Sequence, residues 1–325
     1  MHSTRRNFNK TLAALPIAMA TGSYAQTTFP NRPVRIVLPF APGGAGDVVA
    51  RLLSEKLGAI WSQNVVIDNK PGASGIVATQ IVQQAAPDGY TVTLASFQHA
   101  VNPAMFVKLP YDTLKDFTPI CQVANTQLIL VSHPELPVKN MRELIAYAKQ
   151  NPGKLNYASA GNGTSTQLAS ALLSFMSGIE MVQIPYKGSG PALMGMISNE
   201  ANLGFDGLIT ALPLIRDGKL RALGMAGAKR SSQLPEVPTI AESGVPGFDT
   251  SSWLGMVGPA NMPTEIVNKW QRDLATALNL PAVQESLLSR GVEPVGSSPA
   301  EFNKFIQSEM SKWADVVRRA NIKPT

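Results

Sequence analysis

From position 34 onward, short runs of β-branched and aliphatic residues alternate with stretches whose apolar positions recur every three or four residues. The run Val34, Arg35, Ile36, Val37 and Leu38 reads as a buried strand. Residues 47–61 place Val48, Leu52, Leu53, Leu57 and Ile60 at helical spacing. A strand over 64–68, a Pro-Gly loop at 71–75, a helix over 75–86, an Asp88-Gly89 turn and a strand over 91–94 follow. That succession is a βαβαβ unit, which predicts a parallel sheet with right-handed crossovers. The pattern resumes with helices over 141–150, 164–177, 191–198 and 211–217, interleaved with strands over 155–159, 181–184, 201–205 and 220–225. This second run is long enough to form an α/β domain of its own. Residues 263–323 carry three helical patterns with no strand between them. Helices without a sheet need one to pack on, so this tail is expected to return to the first domain.

The fold class read from this pattern is α/β: two Rossmann-like lobes with an interdomain cleft. Residues 26–127 and 252–325 are assigned to the first domain and 128–251 to the second. Length agrees, because 325 residues exceed the usual size of a single core. With 44% hydrophobic and 15% charged residues, the composition is that of a folded chain.

The first residues change the picture. Arg5, Arg6 and Lys10 precede a short apolar run over 11–21, which ends in the small-residue pattern Ser23, Tyr24, Ala25. This reads as an export signal cleaved near Ala25. Paired arginines followed by Phe8 and Lys10 resemble a twin-arginine signal, with Asn9 where an apolar residue is usual. The run is shorter than the roughly 20 residues a bilayer core requires, and no later segment is apolar for that long, so direct membrane insertion is not expected.

Three basic charges belong to residues 1–25, so part of the net charge of +6 is the leader's. No remaining Lys/Arg run could track a phosphate backbone, which argues against nucleic acid as a partner. The single Cys121 excludes an intramolecular disulfide framework and reads as a small buried apolar residue. With only His99 and His133 beyond the leader, no Cys/His cluster has metal-ligand spacing, and neither a metal nor a cofactor is expected.

Candidate chemistry lies in two strand-to-helix loops, one per lobe. The first is Pro39, Phe40, Ala41, Pro42, Gly43, Gly44, Ala45, Gly46, Asp47. Its glycines allow close backbone approach, and the free N–H groups and positive dipole of the following helix favour an anion. Asp47 is placed to hold the loop shape. A plain glycine-rich turn is the alternative; no Walker or dinucleotide fingerprint is present. The second loop, Ser159, Ala160, Gly161, Asn162, Gly163, Thr164, Ser165, has the same design, and two such loops could grip the two ends of an anion. Ser96, Tyr186, Lys187 and Asp206 stand at other strand ends and are further ligand-binding candidates. Ser159 lacks the first glycine of a nucleophile elbow, and neither histidine sits in a triad context, so no catalytic residue is assigned.

Several segments resemble, in order, the substrate-binding proteins of tripartite tricarboxylate transporters, the Bug family. They are residues 32–37 running into 39–44 and Asp47, then 68–73, 88–91, 109–112, 115–117, 159–164, 185–188 and 234–239. The resemblance implies a periplasmic binding protein of type II-like fold that closes on a small carboxylate by a hinge, docks on a membrane permease and acts as a monomer rather than an enzyme. It also implies that the two glycine loops hold a ligand carboxylate through backbone N–H groups, small hydroxyls and bridging waters. Gln167 stands where relatives commonly carry His, and Gly207 where Asn is common; both departures bear on which acid is bound. A receptor presenting its ligand to a sensor kinase, and an exported hydrolase or isomerase on a similar scaffold, are the alternative readings.

Overall fold

The computed structural model describes residues 29–319, 322 and 324; the export signal read from residues 1–25 lies outside them. The chain builds two sheets, each flanked by helices, and the two-lobed α/β architecture read from the sequence pattern is the one observed. The first sheet has the order β11-β4-β10-β3-β1-β2 and the second β7-β6-β8-β5-β9.

In the first sheet, β1 (Val34–Leu38), β2 (Val65–Asn69) and β3 (Thr91–Ser96) run parallel. The helices α1 (Ala45–Trp61) and α2 (Ile76–Gln83) connect them. The sheet is nevertheless mixed, which corrects the expectation of a parallel one. Strand β10 (Ser252–Pro259) inserts antiparallel between β3 and β4 (Phe117–Thr126), and β11 (Val292–Pro294) adds antiparallel to β4. The second sheet repeats the arrangement. Strands β6 (Leu155–Ser159), β7 (Met181–Pro185) and β8 (Leu203–Gly207) are parallel, while β5 (Leu128–Ser132) lies antiparallel between β8 and β9 (Arg221–Met225). A strand arriving from the other lobe enters from the far side, and antiparallel insertion needs no crossover helix.

Helix α1 buries Val49, Leu53, Leu57 and Trp61, a strict i, i+4 face, whereas Ile60 is 40% exposed. The inner face is thus turned from the one the apolar pattern suggested through Val48, Leu52 and Ile60. The large Trp61 ring chooses it by packing edge-on to Trp270 at 4.8 Å. Trp270 belongs to α8 (Thr264–Leu278), the first of three helices after β10, followed by α9 (Pro281–Leu288) and α10 (Pro299–Arg319). The tail does contain a strand: β11 separates α9 from α10, correcting the all-helical expectation. Its three residues are too few to show a period of two. Helix α10 lies on β4 and on α3 (Gln98–Met105), where Trp313 meets Phe97 edge-on at 4.7 Å.

The second sheet has an apolar core on each face. One joins Leu144 of α4 (Met141–Gln150) and Leu173 of α5 (Ser165–Ser177) to Phe205 and Phe248. The other joins Leu193 and Met196 of α6 (Ser189–Ile197) and Leu212 of α7 (Leu208–Arg216) to Ile129 and Val131. The chain passes between sheets through Gln127, the single residue separating β4 from β5, and returns ahead of β10. Gln127 donates its N–H to Gly291 at 3.4 Å and accepts the N–H of Leu208 at 2.9 Å, so it is tied to both sides of the crossing.

Candidate functional site

Because parallel strands point the same way, their carboxyl ends gather the connecting loops along one edge of each sheet. In the first lobe these are 39–44 after β1, 70–75 after β2 and Ser96 at the end of β3; in the second, 160–164 after β6, 186–188 after β7 and Gly207 at the end of β8. The two edges meet: Ser74 Oγ donates to the Asn162 carbonyl at 2.9 Å. Gly163 is buried against the same contact, with Ser74 Oγ 3.6 Å and Met105 Cγ 3.9 Å from the position of a Cβ. Asn102, almost fully buried, donates to the Ser74 carbonyl at 3.0 Å and fixes that turn from below.

Within loop 1, Gly44 is the N-cap of α1 and supplies no capping side chain. The N–H groups of the first helical turn have no intrahelical acceptor. Ahead of the cap, the Gly43 N–H goes to Asp47 Oδ2 at 3.0 Å. Asp47 is 3% exposed and also accepts from Arg51 Nε at 2.9 Å and Asn69 Nδ2 at 2.9 Å. Burial opposes its ionisation, but the hydrogen bonds from Arg51, Gly43 and Asn69 and the Arg51 charge outweigh burial and hold the carboxyl at about 2. Asn69 Nδ2 also reaches the Phe40 carbonyl at 3.0 Å, and the Phe40 ring covers the backbone of Gly46. Ala41 and Pro42 are exposed on the rim. Asp47 therefore shapes loop 1, leaving the N–H groups of Gly44, Ala45 and Gly46 as donors for an anion.

Loop 2 is built on the same plan but with a side-chain cap, Thr164 Oγ1 accepting the Gln167 N–H at 3.4 Å. Thr164 is the N-cap of α5, and Gln167, three residues on, accepts the Gly163 N–H through Oε1 at 2.6 Å. Gly43 and Gly163 both have positive φ, +86° and +72°, conformations that favour glycine. Gln167 Nε2 donates to Gln183 Oε1 at 3.0 Å, and Gln183 Nε2 reaches Ser159 Oγ at 2.8 Å and Asn162 Oδ1 at 3.1 Å. Ala160 N–H goes to Thr166 Oγ1 at 2.9 Å, and Thr164 Oγ1 donates to the Gly161 carbonyl at 2.6 Å. Ser159 is fully buried; the N–H groups of Thr164 and Ser165 head the helix.

The remaining candidates stand at the ends of the neighbouring strands β3, β7 and β8. Ser96 is 6% exposed and hydrogen-bonded to Gln98. The Tyr186 ring packs on Gly195 of α6, and its backbone N–H joins the Ser159 carbonyl at 2.9 Å. Lys187 is exposed and forms no ion pair among the described residues. Asp206 is fully buried, receiving Ser189 Oγ at 2.7 Å and the Thr210 hydroxyl, and so joins the first turns of α6 and α7. Burial, the largest influence, raises its carboxyl above the usual range against those hydroxyls and the Gly207 N–H. Asn69, Ser74, Asn102 and Gln183 were not singled out from the sequence. The available signals are the loop over 71–75, which holds Ser74, and the family-like segment 68–73, which holds Asn69. No group of three metal-ligating side chains occurs among the described residues.

Residues 49–322 match the family model described as tripartite tricarboxylate transporter family receptor, TctC. BugT of Bordetella pertussis is 35% identical over 323 residues, covering 98% of this chain and 99% of BugT. R. palustris Rpa4515, solved with adipate, aligns with a TM-score of 0.88 and 35% identity, over 91% of this chain and 100% of that one. MatC (Rpa3494) from Rhodopseudomonas palustris, solved with bound malate, aligns with a TM-score of 0.83 and 33% identity, over 89% of this chain and 100% of that one. With its two lobes meeting at paired helix-capping loops, the chain belongs to the tripartite tricarboxylate transporter receptor family and is a Bug/TctC substrate-binding protein.

Proposed function

We propose that this protein captures a small organic carboxylate between its lobes and hands it to a membrane permease of the tripartite tricarboxylate type. The observation that carries the reading is the pair of corresponding loops, each leading into a helix N-terminus at the sheet edge where Ser74 of one lobe meets Asn162 of the other. One carboxylate end would be held by the N–H groups of Gly44, Ala45 and Gly46, and the other by those of Thr164 and Ser165. Lys187, exposed on the rim, would add attraction for an acid, while Asp47, Ser159, Tyr186 and Asp206 would support the loops from behind. Adipate and malate in the two R. palustris proteins favour a dicarboxylate. The lobes of the proposal are residues 26–127 with 252–325, and 128–251. The working form is an exported, periplasmic monomer that binds without transforming its ligand, with the leader removed near Ala25. No helix among the described residues is long and apolar enough to cross a membrane.

A thermal-shift screen against adipate, malate and other small acids tests the reading. A ligand at one hundred times its dissociation constant should stabilise the fold by about 2.7 kcal/mol. The bound acid should be recovered unchanged by mass spectrometry. Absence of a shift with every carboxylate, or more product than protein, would overturn the proposal.

A further inference from the structure

The two loops share a scaffold but differ in charge. In both, the third helical residue accepts the N–H of a positive-φ glycine, and an amide near the end of the adjacent strand grips that residue or its loop. In lobe 1 the acceptor is an ionised Asp47, neutralised by Arg51 one turn further along α1. In lobe 2 it is Gln167, and the residue one turn further is Ala171. The chain from Gln167 through Gln183 to Ser159 and Asn162 is uncharged throughout.

We propose that Gln167 and Gln183 are positioning residues that fix loop 2 for an anion and that must be neutral, because lobe 2 has no counterpart of Arg51. The inference rests on the carboxylate-capture reading. A carboxylate at position 167 could still accept the Gly163 N–H, as Asp47 accepts that of Gly43. Its charge would sit next to the N–H groups of Thr164 and Ser165, with no cation on the next turn of α5 to pair with it as Arg51 pairs with Asp47, and would repel the bound acid. The requirement is electrostatic as well as geometric, and an arginine at position 171 should relieve it.

The test measures adipate and malate affinity by isothermal titration for the full chain and its variants, with thermal melting as the folding control. Gln167→Glu should bind roughly tenfold or more weakly, the order expected for an unpaired charge near an anion at an effective dielectric of about 20. Adding Ala171→Arg should restore most of that loss, while Ala171→Arg alone leaves affinity near wild type. Gln167→Ala, which frees the Gly163 N–H, should also weaken binding and should gain nothing from Ala171→Arg. If Gln167→Glu does not fold, Gln183→Glu places the charge in the same network and should give the same loss. A wild-type protein silent to all carboxylates overturns the capture reading together with this one. A wild type that binds, with Gln167→Glu or Gln183→Glu binding equally well, overturns only the proposal made here. So does a loss in Gln167→Glu that Ala171→Arg leaves untouched.

Discussion

At the scale of single residues, the structure shows which side chains hold the two glycine loops in shape. Asp47 was legible as a loop-shaping residue because an acidic side chain in the first turn of a helix that follows glycines is a local signal. Gln183 was not, because it lies 16 residues from its partner Gln167. It enters the loop through the register of β6 and β7, which sets Tyr157 against Gln183. His99 is a core residue whose two ring nitrogens have no hydrogen-bond partner among the described residues. It is 3% exposed, ringed by Tyr111 and Phe117, and burial pushes its pKa down to about 4. The unfolded chain binds a proton below about 6.5 and the native state only below about 4. Stability tied to His99 is therefore complete above pH 6.5 and is lost as the pH falls toward 4, on the order of 3 kcal/mol in all. Urea unfolding at several pH values should show this slope in the wild type and a flatter one in His99→Phe. Parallel slopes would mean that His99 does not carry the acid sensitivity.

At the scale of elements, the alternation of strand and helix in the parallel halves could be read from periodicity, since one face of each helix and both faces of each central strand are apolar. The exceptions are instructive. Strand β4 holds Pro119 and β10 holds Gly255 and Gly258, residues that weaken a strand signature, and both strands depend on each other as partners. Helix α5 depends for its loop on Gly163, whose positive φ strains any side chain and whose Cβ position already lies in van der Waals contact with Ser74 and Met105, so a bulky group there must push the lobes apart. Gly163→Phe should abolish ligand-induced stabilisation while the free protein keeps its circular dichroism spectrum. It should melt lower by an amount corresponding to roughly 1–3 kcal/mol, the cost of strained backbone. Titration with unchanged affinity would remove loop 2 from the site.

At the scale of the whole molecule, the lobes are joined by more than the crossing strands. Leu168 of α5 is fully buried in a cluster otherwise made of Phe97, Val101 and Met105 around α3 and Trp313 and Val317 of α10. The tail helix thus spans from its own sheet to the opposite lobe, next to the Ser74–Asn162 contact. Leu168→Ala should cost about 2–5 kcal/mol in unfolding free energy, the range for a buried leucine. It should also widen the ligand-free protein in small-angle X-ray scattering. A destabilised variant with an unchanged radius of gyration would show that this cluster stabilises the lobes without holding them together.

The sequence by itself determined the class of fold, the positions of most parallel strands and their helices, and the two glycine loops. These depend on interactions within one or two turns of chain, such as apolar spacing, the conformations glycine permits and the exposed N–H groups of a helix start. Only the tertiary structure decided that Gly43 and Gly163 spend their N–H groups on Asp47 and Gln167, that β10 and β5 enter the sheets antiparallel, and that Ser74 meets Asn162. Each of those outcomes depends on the register and packing of segments far apart in the chain. Local pattern carries no record of which distant backbone will satisfy a given hydrogen bond.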